Sequence, residues 1–349
     1  MTTIKEVAKR AKVSVGTVSH FLTGAFTVSR ARSDRILAAM RDLNYHPNDI
    51  ARSLKLNRSH MLGMVVSDIT NPFFSQLVRG AEEAALQKNY LLLTFNTDDK
   101  VERETQMLTV LRKRRVDGVL LVIAPSSGFP SHVKELIANG TPVVCLDRVP
   151  RGLRVDSVTV NNIRGTRECV EHLIDQGHRK IAILTGSLLL QTAQERLQGY
   201  KQALAARKIE VDPRLVCEGN FRMESGYLLA RDLLVEANRP TAMFVSNGLM
   251  ALGVLKAMNE LQLKCPQDVA LASFDDLAIS EVLHPPLTSV VQPAYEIGRR
   301  GAELLMQRIE SGSGKPWRVT RVHLTTELQI RGSTVATEAA GGRIASARQ

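Results

Sequence analysis

The sequence is poor in several classes of residue. Aromatic residues make up 4% of the 349 positions, with one tryptophan, so the hydrophobic cores must be built mainly from aliphatic side chains. The four cysteines form no CxxC pair that would indicate a zinc site or a disulfide framework. They are Cys145, Cys169, Cys217 and Cys265. We therefore predict buried free thiols and no metal or other cofactor.

Long apolar segments are also missing. No run approaches the roughly 18 apolar residues that indicate a membrane-spanning helix. The start "MTTIKEVAKRAKV" has no apolar run of signal-peptide length. These patterns predict a cytoplasmic protein that has no membrane partner.

Acidic residues are outnumbered, and most strongly at the N-terminus. The chain has 35 Asp and Glu against 46 Lys and Arg, for a net charge of +11. Residues 1–60 carry eleven of these bases but only four of the acids. A basic balance can reflect nucleic acid, an anionic membrane or simple solubility. Its concentration in the first sixth of the chain favours a DNA-binding segment there.

The first 47 residues are predicted to be all-helical. Apolar spacing indicates a helix in "TIKEVAKRA" that starts at Thr2 or Thr3. Its buried face should consist of Ile4, Val7, Ala8 and Ala11. A second helix fits "SVGTVSHFL", capped by Ser14. A third fits residues 29–45, capped by Ser29 and stopped by Pro47. Its inward residues should be Ile36, Leu37, Met40 and Leu43.

The first two helices are short and joined by a tight turn, which is the pattern of a helix-turn-helix. In such a unit the second helix lies in the major groove of DNA and the first crosses the backbone. The alternative is a small helical bundle that only packs. The clustered positive charge favours DNA binding.

From Met61 onward, short apolar runs alternate with amphipathic helices. The strand candidates include "LGMVVS", "YLLLTFN", "DGVLLVI", "PVVCLD", "KIAILTG", "TAMFVS", "VALASF" and "LTSVVQP". The predicted helices include residues 75–88, 102–114, 163–176, 195–207, 248–261 and 295–310. Apolar runs without alternation indicate parallel strands covered on both faces. Their number fits two doubly wound sheets better than one.

Several stretches together resemble one protein family. "TIKEVAKRAKVSVGTVSHFLTG" and "VSRARSDRILAAMRDLNYHPNDIARSLK" look like the headpiece of the LacI/GalR family of bacterial transcription regulators. "NPFFSQLVRGAE", "PVVCLDR", "HLIDQGHRKIAILTG" and "SFDDLAISEVLHPPLTSVVQP" resemble the core of that family and of periplasmic sugar-binding proteins. The resemblance covers about residues 2–332. It implies a helix-turn-helix headpiece followed by an α/β core of two doubly wound, parallel-sheet subdomains.

The expected domain limits follow from this resemblance. The headpiece should span residues 1–47, and a hinge helix with its linker residues 48–60. The effector-binding and dimerisation core should span residues 61–332. Its N-subdomain should comprise 61–161 and 292–318, and its C-subdomain 162–291 and 319–332. Residues 333–349 are small and polar, without leucine heptads, and are expected to be a disordered tail that builds no tetramer.

The resemblance also implies which headpiece residues meet DNA. Val15, Gly16 and His20 should read base edges. Val15 can offer only apolar contact, for instance to a thymine methyl, and Gly16 allows close approach. His20 can donate or accept according to its tautomer, and simple surface exposure is the alternative. The remaining headpiece candidates are Thr3, Ser14, Thr17, Ser19, Thr27 and Ser29.

A hinge helix in "NDIARSLKL" is implied as well. Asn48 can cap it, Ala51 is small enough for two such helices to meet, and Leu54 can wedge into a minor-groove step. Lys55 can meet the groove or a phosphate. The alternative is a plain interdomain linker.

The family resemblance gives a set of effector-binding residues, most of them directly after predicted strands, where ligands lie in such folds. They are Asp68, Asn71, Phe73, Phe74, Asp147, Arg148, Arg196, Phe221, Asn247, Asp275 and Gln292. For the phenylalanines the alternative is core packing. For Asp147, Arg148 and Arg196 it is a structural network of salt bridges. Many relatives have an aspartate where this chain has Gly248, so one carboxylate contact is expected to be missing.

Together these features predict a repressor that binds a pseudo-palindromic operator as a homodimer. A small molecule, a pentose or hexose or a derivative, should control it, and a purine corepressor is the alternative effector. Whether the effector induces or corepresses stays open. An enzyme is disfavoured because GxSxG, HExxH and GxGxxG motifs are absent and "GSGKP" is an incomplete phosphate loop. A transport binding protein is disfavoured by the basic headpiece.

Overall fold

The computed structural model describes residues 2–23, 27–45, 58–150, 152–312 and 318–335. The chain divides into two compact units. The first comprises residues 1–60 and 115–117, and the second residues 61–114 and 118–349.

Three helices form the N-terminal part of the first unit: α1 (Ile4–Ala11), α2 (Val15–Thr23) and α3 (Arg30–Asp42). Thr3 is the N-cap of α1 in a full capping box. Its backbone N–H donates to the Glu6 carboxylate at 2.7 Å, and its hydroxyl accepts from the Glu6 N–H. The chain then turns at Lys12, which has left-handed backbone angles (φ 53°). The prediction of two short helices joined by a tight turn is confirmed.

A small aliphatic core joins these helices. It consists of Val7, Ala8, Ala11, Val18, Ile36 and Ala39. The prediction that Leu37 faces inward is wrong, because 44% of this residue is exposed. Leu37 lies about 100° around the helix from Ile36, outside the stripe of Ile36, Ala39 and Met40 that packs on the other helices. Helix α3 ends at Asp42, and Asn44 beyond it is left-handed (φ 44°).

The second unit contains two six-stranded sheets. The first has the strand order β11-β5-β4-β3-β1-β2, and its paired neighbours all run parallel. Its strands are β1 (Met61–Val66), β2 (Leu91–Asn96), β3 (Gly118–Leu121), β4 (Val143–Leu146), β5 (Asp156–Val160) and β11 (Arg321–Leu324). Its helices are α4 (Pro72–Gln87), α5 (Val101–Lys113), α6 (Ser131–Ala138) and α11 (Ala294–Ser311).

The second sheet has the order β12-β10-β9-β8-β6-β7. Its strands are β6 (Ile181–Thr185), β7 (Val216–Glu218), β8 (Ala242–Val245), β9 (Ala270–Phe274), β10 (Thr288–Val291) and β12 (Glu327–Gln329). Only the edge strand β12 is antiparallel to its neighbour. The helices are α7 (Asn162–Asp175), α8 (Gln191–Ala206), α9 (Met223–Leu234) and α10 (Gly248–Glu260), with a 3₁₀ turn at Pro213–Leu215. The predicted fold class, two doubly wound sheets behind a helical headpiece, is confirmed.

One predicted subdomain limit is wrong. Residues 319–332 were expected in the C-subdomain, but β11 lies beside β5 in the first sheet, with Arg321 opposite Ser157. The buried Asp156 explains this placement, since its carboxylate accepts from the Thr320 N–H at 2.6 Å and forms an ion pair with Arg308. The chain therefore returns to the second sheet only after Leu324.

The predicted start of the tail at residue 333 is also wrong. Ser333 and Thr334 are buried. The Ser333 hydroxyl donates to the Leu271 carbonyl at 2.6 Å and accepts from the Thr288 N–H at 2.7 Å. These bonds attach the segment to β9 and β10. The rest of the predicted tail, residues 336–349, lies outside the described residues. Within the described ranges, no helix is both long enough and apolar enough to cross a membrane.

Candidate functional site

Helix α2 presents its first turn outward. The Ser14 hydroxyl accepts from the Thr17 N–H at 3.1 Å, which fixes the start of the helix. Val18 is fully buried and holds the helix against α1 and α3, whereas 41% of Val15 is exposed. Gly16 is exposed too. Packing does not require a glycine at this position, because an added Cβ would meet only the Ser14 hydroxyl, at 3.7 Å.

The other DNA-binding candidates of the headpiece differ in their hydrogen bonds and in their exposure. The Thr3 and Ser14 hydroxyls are used in helix caps. Ser29 occupies the N-cap position of α3, but its hydroxyl makes no capping bond, and both Thr27 and Ser29 are exposed. The side chains of Thr17, Ser19 and His20 are partly buried. The hinge candidates Asn48, Ala51, Leu54 and Lys55 lie outside the described residues.

In the core, a cavity lined by residues of both subdomains lies between the two sheets. All eleven residues predicted to bind the effector line it. Three lining residues were missed: Asp99, Thr192 and Arg222. Asp99 follows β2 closely, so the rule that ligands lie beyond the carboxyl ends of strands could have found it. Thr192 is at the start of α8, whose observed beginning lies four residues before the predicted one.

Asp147 and Asp275 occupy equivalent positions in the two sheets. Each directly follows a central strand, β4 or β9. The N–H of each donates at 3.0 Å to the neighbouring strand, at Val158 or Val290. Both have left-handed backbone angles, with φ of 64° and 69°, a conformation that aspartate tolerates better than most residues. The two sheets thus bring one carboxylate each to the cavity from related turns.

Two buried arginines accompany these carboxylates. The Arg148 guanidinium donates to Asp99 at 2.8 Å and lies 3.3 Å from a carboxylate oxygen of Asp147. Arg196 donates to the Asn162 side chain at 2.9 Å and lies over the Phe274 ring at 3.8 Å. The planar guanidinium groups are therefore fixed by several partners each, and their remaining donors are fixed in direction.

Burial disfavours the charged form of the carboxylates in the cavity. It raises the pKa of both Asp147 and Asp275 above the usual aspartate value, although the neighbouring arginines act in the opposite direction. Two buried polar atoms of lining residues make no hydrogen bond to any part of the described chain: Asp147 Oδ1 and Gln292 Oε1. Buried polar groups without partners are costly, so these atoms favour a polar ligand in the cavity.

The three phenylalanines have different settings. The rings of Phe73 and Phe74 are 5.0 Å apart in an edge-to-face arrangement, and both belong to the core of the first sheet. Phe221 has a left-handed backbone (φ 63°), and the Asn247 amide donates to its carbonyl at 2.9 Å. Its ring fills the space that a Cβ on Gly186 would need, since that atom would lie 2.1 Å away. The core-packing alternative thus holds for Phe73 and Phe74, which line the cavity as well.

Two predicted contact residues also cap helices. The Asn71 side chain accepts from the Phe73 N–H at the start of α4. The Asn247 side chain accepts from the Met250 N–H at the start of α10. At Gly248 a Cβ would lie 2.6 Å from Leu277, so the leucine occupies the space that an aspartate side chain would take in this chain. No group of three metal-ligating side chains occurs anywhere in the described ranges.

A helix-turn-helix unit followed by two doubly wound sheets around a polar cavity defines a class of ligand-controlled DNA-binding regulators. Residues 3–48 match the family described as bacterial regulatory proteins, lacI family. Residues 170–334 match the periplasmic binding protein-like domain. The chain belongs to the LacI family of bacterial transcription regulators.

Several characterised proteins are similar over nearly the whole chain. The ribose operon repressor of Escherichia coli K12 is 35% identical over 333 residues, which cover 95% of this chain and 100% of that protein. The HTH-type transcriptional repressor PurR of Haemophilus influenzae PittEE is 34% identical over 335 residues, or 95% of this chain and 98% of that protein. The lac repressor dimer bound to operator and the anti-inducer ONPF superposes with a TM-score of 0.84 at 30% identity, covering 96% of this chain and 99% of that one.

Proposed function

We propose that this chain is a transcriptional repressor that binds a pseudo-palindromic operator as a homodimer and responds to an aldopentose, with D-ribose as the first candidate. The observation that carries the proposal is the cavity between the two sheets. Its lining combines four carboxylates, three arginines and three side-chain amides, and two of its buried polar atoms, Asp147 Oδ1 and Gln292 Oε1, make no hydrogen bond within the described chain.

The chemistry of the cavity suits a polyhydroxylated ring. A sugar hydroxyl donates one hydrogen bond and accepts others, so adjacent hydroxyls match a carboxylate beside a guanidinium. Asp147 and Arg148 provide such a pair from the first sheet, and Asp275 and Arg196 provide one from the second. The 35% identity to a ribose operon repressor supports a pentose.

A purine corepressor is the second candidate effector. Phe73, Phe74 and Phe221 line the cavity and offer faces or edges for a planar base, and the 34% identity to PurR supports this choice. The sugar is favoured because Phe73 and Phe74 are packed on each other in the core. The polar side chains around the cavity also outnumber the aromatic ones.

The DNA-binding roles of the headpiece and hinge residues are part of the proposal. Val15, Gly16 and His20 on α2 read base edges, and Leu54 of the hinge segment wedges into a minor-groove step. This arrangement contains no arginine fork to guanine, so most of the affinity comes from phosphate contacts and from the pairing of two headpieces. The binding is then strongly salt-dependent.

The direct test combines operator footprinting with ligand screening on the full chain. DNase footprinting at moderate salt is expected to show one protected palindrome. Thermal-shift measurements with D-ribose, D-glucose, adenine and hypoxanthine are expected to give the largest shift with D-ribose, and D-ribose should change the operator affinity. The absence of a protected palindrome would refute the proposed role as an operator-binding repressor. A shift with hypoxanthine but not with D-ribose would replace the pentose by a purine.

Gly16→Ala separates operator reading from folding. We expect the free energy of unfolding to stay the same or rise by up to about 1 kcal/mol, because alanine favours a helix and has room at this position. Operator affinity is expected to fall about fivefold or more, as for the loss of one good base contact, since the added methyl holds the helix off the bases. Thermal denaturation and gel shift on the same preparation measure the two effects. Unchanged operator affinity would show that the glycine is not needed for close approach.

A further inference from the structure

An ion pair joins the two subdomains at the effector cavity. Asp68 follows β1 in the first sheet, and Arg222 immediately precedes α9 of the second. The Arg222 guanidinium donates to Asp68 Oδ2, and both residues line the cavity. Neither partner can form this bond without the other subdomain, so the pair exists only when the two sheets are close together.

Both partners are held in place by local bonds. Asp68 Oδ1 accepts from the N–H and the hydroxyl of Thr70, at 3.0 and 2.6 Å, which leaves Oδ2 for Arg222. The Arg222 N–H donates to the Asn220 side chain at 3.1 Å, directly after the left-handed Phe221. The pair is therefore built from two fixed turns and is not a chance contact of two free side chains.

The burial of the lining residues shows where the pair lies. Arg148 and Arg196, inside the cavity, are 4% and 3% exposed. The side chain of Asp68 is 9% exposed, and that of Arg222 is 35% exposed. Arg222 thus lies between the buried polar groups and solvent, which is the position of a residue at the mouth of the cavity.

We propose that Asp68 and Arg222 close the mouth of the effector cavity and limit the effector to a single sugar ring, which makes Arg222 a specificity-determining residue. This inference rests on the proposed function, because it concerns the effector of the same cavity. A second ring that extends from the effector toward this mouth would have to pass through the space that the guanidinium occupies.

An ion pair suits such a closure because it can be broken. A partly exposed pair changes an equilibrium by only about two- to fivefold. A small effector can then enter when the pair opens, and the pair forms again over it. An apolar contact of similar size would also close the mouth, but it would not depend on the charge of either partner.

The first experiment needs no effector. Hydrogen exchange is measured on the ligand-free full chain for R222Q, D68N, the double variant and the control R214Q. Arg214 forms an ion pair with Asp212 within the second subdomain, far more exposed than Arg222. Exchange in segments 67–74 and 219–226 is expected to rise about two- to fivefold in each single cleft variant. The double variant should exchange no faster than the singles. Rates equal to those of R214Q, or effects that multiply in the double variant, would overturn the ion-pair closure.

The second experiment measures size selection by calorimetry with D-ribose and the disaccharide cellobiose. Wild type and R214A are expected to bind D-ribose and reject cellobiose. R222A should bind both sugars, and R222K should restore the rejection. If R222A rejects cellobiose as wild type does, or if wild type binds both sugars equally, Arg222 does not set the size limit. If no variant binds either sugar, the sugar class of the proposed function fails, and hydrogen exchange alone decides on the closure.

Discussion

Replacing Asp275 by asparagine is expected to weaken effector binding about 10- to 150-fold, the equivalent of one hydrogen bond to a charged group. The carboxylate of Asp275 is buried, accepts a bond from the Gln292 amide and lies in the field of Arg196. Asparagine keeps the size of the side chain and tolerates the left-handed backbone, so the change removes mainly the negative charge.

The control for this variant is Asp232→Asn, which makes the same chemical change on an exposed surface of the same subdomain. Calorimetric titration with D-ribose gives the effector affinity, and gel shift without effector gives the basal operator affinity. We expect Asp275→Asn to weaken D-ribose binding and to leave the basal operator affinity unchanged. Effector binding equal to that of Asp232→Asn would remove Asp275 from the site.

The location of the site could be predicted because it depends on strand ends. Asp147, Asp275 and Gln292 each follow an apolar run without alternation, which indicates a buried parallel strand, and the family resemblance assigns all three to the effector site. Parallel strands bring their carboxyl ends to one edge of a sheet. The periodicity needed for this inference is local, so no knowledge of distant contacts was required.

What sequence reasoning missed depends on contacts between distant segments. Strand β5 was not predicted, because Asp156, Ser157 and Thr159 make it look polar, yet all of its residues are buried. Asp156 is paired with Arg308 and Thr320, and the Thr159 hydroxyl is 2.9 Å from His323. These partners lie more than 150 positions away, so nothing in the local pattern could show that the polar groups would be satisfied.

Arg222 illustrates the same limit at the site. It lies four residues beyond the short edge strand β7, which was not among the predicted strands, and only the meeting of the two subdomains brings it to Asp68. Its role is therefore a property of the closed core. The strand-end residues are positioned by a single sheet, whereas the contact of Arg222 with Asp68 requires both sheets.

Gly298→Ala is expected to lower the free energy of unfolding substantially. Helices α4 and α11 pack backbone to backbone through two glycines. A Cβ on Gly298 would lie 1.9 Å from the Leu77 carbonyl oxygen, and one on Gly80 would lie 2.0 Å from that of Tyr295. Neither obstacle can rotate away, because both are backbone atoms of helices, so the helices must separate. Overpacking of this kind costs about 1–3 kcal/mol of unfolding free energy, and more where the obstacle is rigid.

The position of these helices links that loss of stability to the cavity. Asn71 is the N-cap of α4, Phe73 and Phe74 lie in its first turn, and α11 starts just after Gln292. Separation of the two helices should therefore weaken D-ribose binding as well, although Gly298 does not line the cavity. Gly128→Ala is the matched control, because its Cβ would meet only the Ser126 hydroxyl at 3.7 Å. Urea denaturation of both variants measures the difference, and equal midpoints would show that α4 and α11 tolerate the methyl group.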